Sequence, residues 1–212
     1  MAAPDSRWRP TPRQLAQVVG GLWVFGTGEA LLVASELGNS PWTVLAEGVS
    51  KHTPLSIGTA TFAIGVVVLL CWIPLRERPG LGTVLNGIVI GAAIDATLAL
   101  LPHESGIGTR WASLLVGIAL VGLGSGLYLT AALGPGPRDG IMTGLNQRYG
   151  WPLAVVRTCI ELTAVTIGFL LGGTAGIGSL LFALLIGQAV SFGVRRIGPR
   201  AAAARPAAGE AR

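Results

Sequence analysis

The sequence predicts an all-α, polytopic membrane protein: six transmembrane helices arranged as two inverted three-helix repeats. Three observations predict it. The chain is 51% hydrophobic and only 12% charged, with a mean hydropathy of +0.64, whereas soluble domains carry about 25% charge. Six apolar segments each approach the ~20 residues needed to cross a bilayer. Finally, the chain matches itself at an offset of 96 residues without a gap. Of the 11 glycines between Gly21 and Leu98, eight fall on a glycine of the window from Gly117 to Val194, where chance gives about two. Pro41 meets Pro137, and Thr83 meets Ser179.

In chain order, a tail at 1–13 precedes spans at about 14–35, 57–75 and 82–102, which form the first repeat. Spans at about 110–133, 153–172 and 178–194 form the second repeat, between 110 and 194. Three spans per repeat put the second upside down relative to the first, an arrangement common in small transporters. Arg195 and Arg196 close the last span. The tail at 195–212, rich in Ala, Pro and Arg, has no apolar periodicity and reads as disordered.

Basic residues fix the orientation. Arg7, Arg9, Arg13, Arg76, Arg78, Arg138, Arg148, Arg195, Arg196, Arg200, Arg205 and Arg212 occupy alternate loops and the two tails, against Lys51 and Arg110 in the opposite set. The positive-inside rule therefore puts both termini in the cytoplasm. The same dispersal argues against nucleic acid despite a pI near 10.2, because no basic stripe forms. Cys71 and Cys159 lie inside spans, as small apolar fillers and not as a disulfide framework.

After the first span of each half comes a stretch too apolar for a loop and too short to cross: residues 39–50 and 135–146. Ser40–Pro41 reads as an N-cap followed by a first-turn proline, and Pro137 holds the matching place. Two readings stand. The segments are re-entrant half-helices with their N–H ends offered to a polar solute, or interfacial helices with Trp42 at headgroup depth. Ser40, Pro41 and Trp42 in one half, and Pro137, Arg138, Asp139 and Gly140 in the other, are the residues concerned.

ELGNSPWTVLAEG (36–48), IPLRERPGLGT (73–83), GPRDGIMTGL (136–145), VRTCIEL (156–162) and LLGGTAGIGS (170–179) together resemble the YczE/YyaS/YitT family of bacterial integral membrane proteins, above all its YczE branch. Ile141 stands where that branch usually has Leu. The resemblance runs from about residue 15 to residue 195. It implies a multi-span protein of the bacterial cell membrane and supplies no catalytic residue or cofactor.

Four charged residues fall inside the spans: Glu29, Asp95, Arg157 and Glu161. Each costs at least ~2.5–3.5 kcal/mol at mid-bilayer, so each is a candidate for a solute or ion pathway. Their repeat-equivalents, Ser125, Ser191, Thr61 and Gly65, are uncharged. Arg157 and Glu161, four apart, share a helix face and can pair as a purely structural element. For Glu29 and Asp95 the bland reading is hydrogen bonding to Ser, Thr or Asn on neighbouring helices.

Other features exclude function classes. His52 and His103 stand apart with no third ligand, so no metal site is expected. The run LLGGTAGIG lacks the Lys-Ser/Thr of a phosphate-binding loop, and no nucleophile–base arrangement assembles, so neither a cofactor nor an enzyme is expected. Gly87/Gly91, Gly122/Gly126 and Gly168/Gly172 have small-xxx-small spacing, which suits close helix contacts within the chain or a homodimer face. The leading expectation is a small secondary transporter or channel for a small solute or ion. The alternative is a non-transporting accessory membrane protein that supports a partner system.

Overall fold

The computed structural model describes residues 7–101 and 106–203; His103 and the tail beyond residue 203 lie outside them. Among the described residues there are only helices and turns: α1 (Pro12–Ser35), α2 (Pro41–His52), α3 (Ile57–Leu70), α4 (Trp72–Leu75), α5 (Leu81–Leu100), α6 (Ile107–Thr130), α7 (Pro137–Tyr149), α8 (Leu153–Leu170) and α9 (Ile177–Ala203). Six are long and apolar enough to span a membrane, with α3 and α4 counted as one.

Local chemistry sets the ends. Thr11 and Gln14 form a reciprocal capping box with Pro12 in the first turn of α1. Pro74 cannot bond back to the carbonyl four residues earlier, and the span breaks there into α3 and α4 at Cys71. The helix α9 continues past Arg195 and Arg196 to Ala203, so the first part of the expected disordered tail is helical.

The 96-residue offset reappears in the backbone. Glu36 and Ala132 leave their helices in left-handed conformations, φ 53° and 57°, and two residues later Gly38 and Gly134 take φ 126° and 125°. Only glycine adopts that second geometry without strain. The contacts repeat too: Gly82 N donates to Leu133 O at 2.9 Å, and Gly178 N donates to Leu37 O at 2.8 Å. Each half thus ties the start of its last helix to the other half's first turn.

The centre is the pair α1 and α6, the two most enclosed spans. Gly21 meets Gly124 and Gly28 meets Gly117, so these equivalent helices run antiparallel. A methyl group built on Gly28 would lie 2.7 Å from Gly117 O, and one on Gly117 2.8 Å from Gly28 O. Backbones this close forbid side chains, and close van der Waals packing of this kind holds helices together where lipid removes the hydrophobic drive. Around this seam, Val18, Leu22, Phe25, Leu32, Leu114, Ile118 and Val121 pack with Ile90 and Ile94 of α5 and Phe182 and Ile186 of α9. The outer helices present Val67, Leu70, Ile73, Leu162, Phe169 and Leu170 outward, a lipid-facing surface.

One expectation changes here and another holds. Cys71 and Cys159 are both free and exposed, on outer faces and not filling the core. Among the glycine pairs, Gly122 and Gly126 face Ala189 and Gly193 of α9, Gly91 faces Gly58 and Gly168 faces Leu45, all within the chain.

Candidate functional site

Glu29 sits on α1 beside the start of α2 and is 4% exposed. Its Oε2 accepts from the Ser40 and Thr43 hydroxyls, both at 2.7 Å. Both distances are typical of well-made O–H···O bonds. Because Ser40 Oγ is turned to Glu29, Ser40 holds the N-cap position of α2 without making the side-chain cap bond. Glu29 Oε1 has no hydrogen-bond partner among the described residues.

Two cavities meet at this level. The first, about 90 Å³, is lined by Glu29 and Phe25 of α1, Trp42 and Thr43 of α2, Thr61, Ile64, Gly65 and Val68 of α3, Asn86, Ile90 and Ile94 of α5, and the α7 start. The second, about 140 Å³, is lined by Ser125 and Leu129 of α6, Arg157, Ile160 and Glu161 of α8, and Ile186 and Val190 of α9. These walls correspond at the 96-residue offset: Glu29 to Ser125, Thr61 to Arg157, Ile64 to Ile160, Gly65 to Glu161, Ile90 to Ile186 and Ile94 to Val190. Trp42, Tyr128, Arg138 and Asp139 line both cavities and form the partition between them.

The partition comes from the first turns of α2 and α7 plus one tyrosine. Tyr128 donates its hydroxyl to Asp139 Oδ2 at 3.1 Å, and Asp139 Oδ1 lies 4.0 Å from Arg138 Nε. Burial would push the Arg138 guanidinium down, but the carboxylates of Asp139, Glu161 and Glu29 around it hold it above its usual range. Trp42 Nε1 is buried with no partner among the described residues. Pro137 O accepts from Trp72 Nε1 at 2.8 Å, and Gly140 lies under the same indole, where a Cβ would collide with it. Trp72 thereby fixes the entry of α7.

The structure separates the four charges found in the sequence. Glu29 lines the first cavity and Glu161 and Arg157 the second. Arg157 Nε donates to Glu161 Oε1 at 3.1 Å, as the spacing predicts, but the side chains are 49% and 29% exposed, so the pair is not sealed from its surroundings. Asp95 joins neither cavity. Its Oδ2 accepts from Ser56 Oγ at 2.5 Å and its Oδ1 from Gly58 N at 2.8 Å, which caps the start of α3.

Sequence reasoning passed over Glu47. This buried residue of α2 accepts at Oε2 from Asn39 Nδ2 and Thr174 N, both at 2.7 Å, and at Oε1 from Thr174 Oγ1 at 2.8 Å and Lys51 Nζ at 2.8 Å. It fastens α2 to the turn before α9. Burial alone would push its carboxyl up, but the Lys51 ammonium and the Thr174 bonds outweigh burial and hold it below the usual carboxylate range. The Glu47–Lys51 spacing of four was the available signal. Phe25, Asn86 and Tyr128 were also passed over; Asn86 and Tyr128, polar groups within spans, each carried one.

Residues 12–195 match DUF6198, a family of unknown function. The chain belongs to that family. Among its relatives is an uncharacterized protein of Haemophilus influenzae, 42% identical over 190 residues, which cover 90% of this chain and 87% of the relative. The uncharacterized membrane protein YczE of Bacillus subtilis is 33% identical over 177 residues, 81% of each chain. The uncharacterized protein YyaS of the same organism is 27% identical over 172 residues, 79% of this chain and 86% of the relative. The expected YczE/YyaS kinship holds, and the chain is an integral membrane protein. No solved structure matches it.

Proposed function

We propose that this protein is a small secondary transporter or channel for a small solute or ion, built as two inverted three-span halves with both termini cytoplasmic. One observation carries the reading: two repeat-equivalent cavities flank a single partition formed at the N-terminal ends of the paired short helices. Cavities that correspond in this way suit alternating access, in which equivalent halves exchange roles about a central site. The antiparallel α1 and α6 support the inversion.

In this reading α2 and α7 are re-entrant. After leaving α1 at Glu36, the chain turns back until Ser40 bonds to Glu29, seven residues before Glu36 and roughly 10 Å deeper along the helix. It then runs outward to the exposed Lys51 and His52. Irregular backbone at such depth is tolerated where it lines a cavity. Passage and not catalysis is what the residues serve.

The test is flux. Proteoliposomes holding the full chain are assayed with solutes first selected by comparing metabolites of deletion and overexpressing cells. Saturable, protein-dependent uptake that Glu29→Gln or Arg138→Gln abolishes at matched abundance is the expected result. Full activity of both variants in a complementation assay, with no uptake of any selected solute, would hand the protein to the accessory-protein reading.

A further inference from the structure

We infer that the first cavity is a binding site for a small organic cation, an amine or methylated ammonium group held by Glu29 within a ring of aromatic side chains. The inference deepens the transport reading and rests on it only for what happens after binding.

Charge is the first indication. The charged side chains lining this cavity are Glu29, Asp139 and Arg138, two carboxylates against one guanidinium. Arg138 stands in the partition with Asp139 beside it and feels Glu161 of the second cavity as well. Glu29 makes no ion pair within 4.0 Å among the described residues; its partners are two neutral hydroxyls, both on Oε2. Its second oxygen is left without a partner on a side chain that is 96% enclosed and lines the cavity. A carboxyl group enclosed so far, with Arg138 acting on it only from beyond ion-pair distance, is a place where a cation can replace the neutralising proton.

The rest of the lining says which kind. Phe25, Trp42 and Tyr128 surround the same space, drawn from three different helices. Aromatic rings attract cations electrostatically, and they favour alkylated ammonium groups, whose hydrocarbon the apolar walls also accept. A bare metal ion instead needs several oxygen ligands, and no group of three or more metal-ligating side chains occurs among the described residues. A volume near 90 Å³ holds roughly six water positions or a solute of a few heavy atoms. An anion on Arg138 is the opposite prediction. It is disfavoured because Glu29 and Asp139 would both face the same anion.

Equilibrium binding decides without needing transport. The purified full chain in detergent is titrated calorimetrically with methylammonium chloride, sodium acetate and tetrabutylammonium chloride at matched ionic strength. Saturable methylammonium binding is expected, about tenfold weaker in Glu29→Gln and roughly threefold weaker in Phe25→Leu. Acetate binding in place of methylammonium overturns the inference. So does equal binding of tetrabutylammonium, which this cavity cannot hold, or methylammonium binding indifferent to Glu29→Gln. If Glu29→Gln does not fold, Phe25→Leu and the choice between methylammonium and acetate decide. Binding without flux upholds the site and overturns the transport reading; flux of a non-cationic solute without methylammonium binding overturns the site and leaves transport standing.

Discussion

Trp42 and Arg138 hold equivalent positions in the two halves, 96 residues apart, and both stand in the partition between the two cavities. One half contributes a broad indole, the other a cation. The scaffold is shared and the chemistry is divided, so each half can do what the other cannot. Trp42→Ala removes the largest apolar part of this wall. It should join the two cavities and raise the leak of small solutes through proteoliposomes at unchanged abundance. A leak equal to that of the parent would mean that the wall is closed by other groups.

Glu29 should separate charge from structure. Glu29→Gln keeps an oxygen to accept from Ser40 and Thr43, so the melting temperature in detergent should change little while flux is lost. Glu29→Leu removes that acceptor and should cost about 1–3 kcal/mol. The cost should fall at the low end, because the Ser40 and Thr43 hydroxyl oxygens lie 3.2 Å apart and can bond each other once the carboxylate is gone. Equal stability of the two variants would show that the hydroxyls do not depend on the carboxylate.

Arg157 and Glu161 should couple weakly. Their side chains are substantially exposed, and pairs in contact with water are worth about 0–1 kcal/mol. A double-mutant cycle with Arg157→Met and Glu161→Leu should therefore return a coupling in that range. A coupling of 3–5 kcal/mol, the size associated with breaking a sealed pair, would show that the second cavity is dry.

Glu47 predicts an acid limit on the anchoring of α2. Its folded-state pKa lies below the unfolded value, so its contribution is fully present above the ordinary carboxylate range, about 4.3. The contribution is lost as pH falls through the lower folded value. Thermal melts from neutral pH to pH 3 should show the parent losing its advantage over Glu47→Gln across that interval. A constant difference down to pH 3 would contradict the assignment.

Topology is directly checkable. With Cys71 and Cys159 replaced, which their exposure permits, single cysteines at Lys51 and Arg110 should react with impermeant reagents from outside. A reporter fused at Arg212 should be cytoplasmic. The ion pair between Arg110 and Glu36 puts the end of α1 and the start of α6 on one side. Lys51 and the C-terminal reporter on the same face would refute the orientation.

The sequence by itself determined the helical class, the six spans, the 96-residue offset and the family, because all four are carried by local patterns. Apolar length decides a span, and glycine marks a close backbone approach wherever the helix neighbours are. It also determined that Arg157 and Glu161 can meet, since four residues make one helical turn. Which charges share a space was decided only by tertiary structure. Glu29 and Asp95 look alike in the sequence, each a lone carboxylate in an apolar run. Yet one lines a cavity through a contact with Ser40 on the returning chain, and the other caps α3 through Ser56. Glu47, which sequence reasoning passed over, takes its role from the turn at Thr174, 127 residues later, folded against it. Such contacts depend on where helices cross, and crossing is set by packing between segments far apart in the chain, which no local period records.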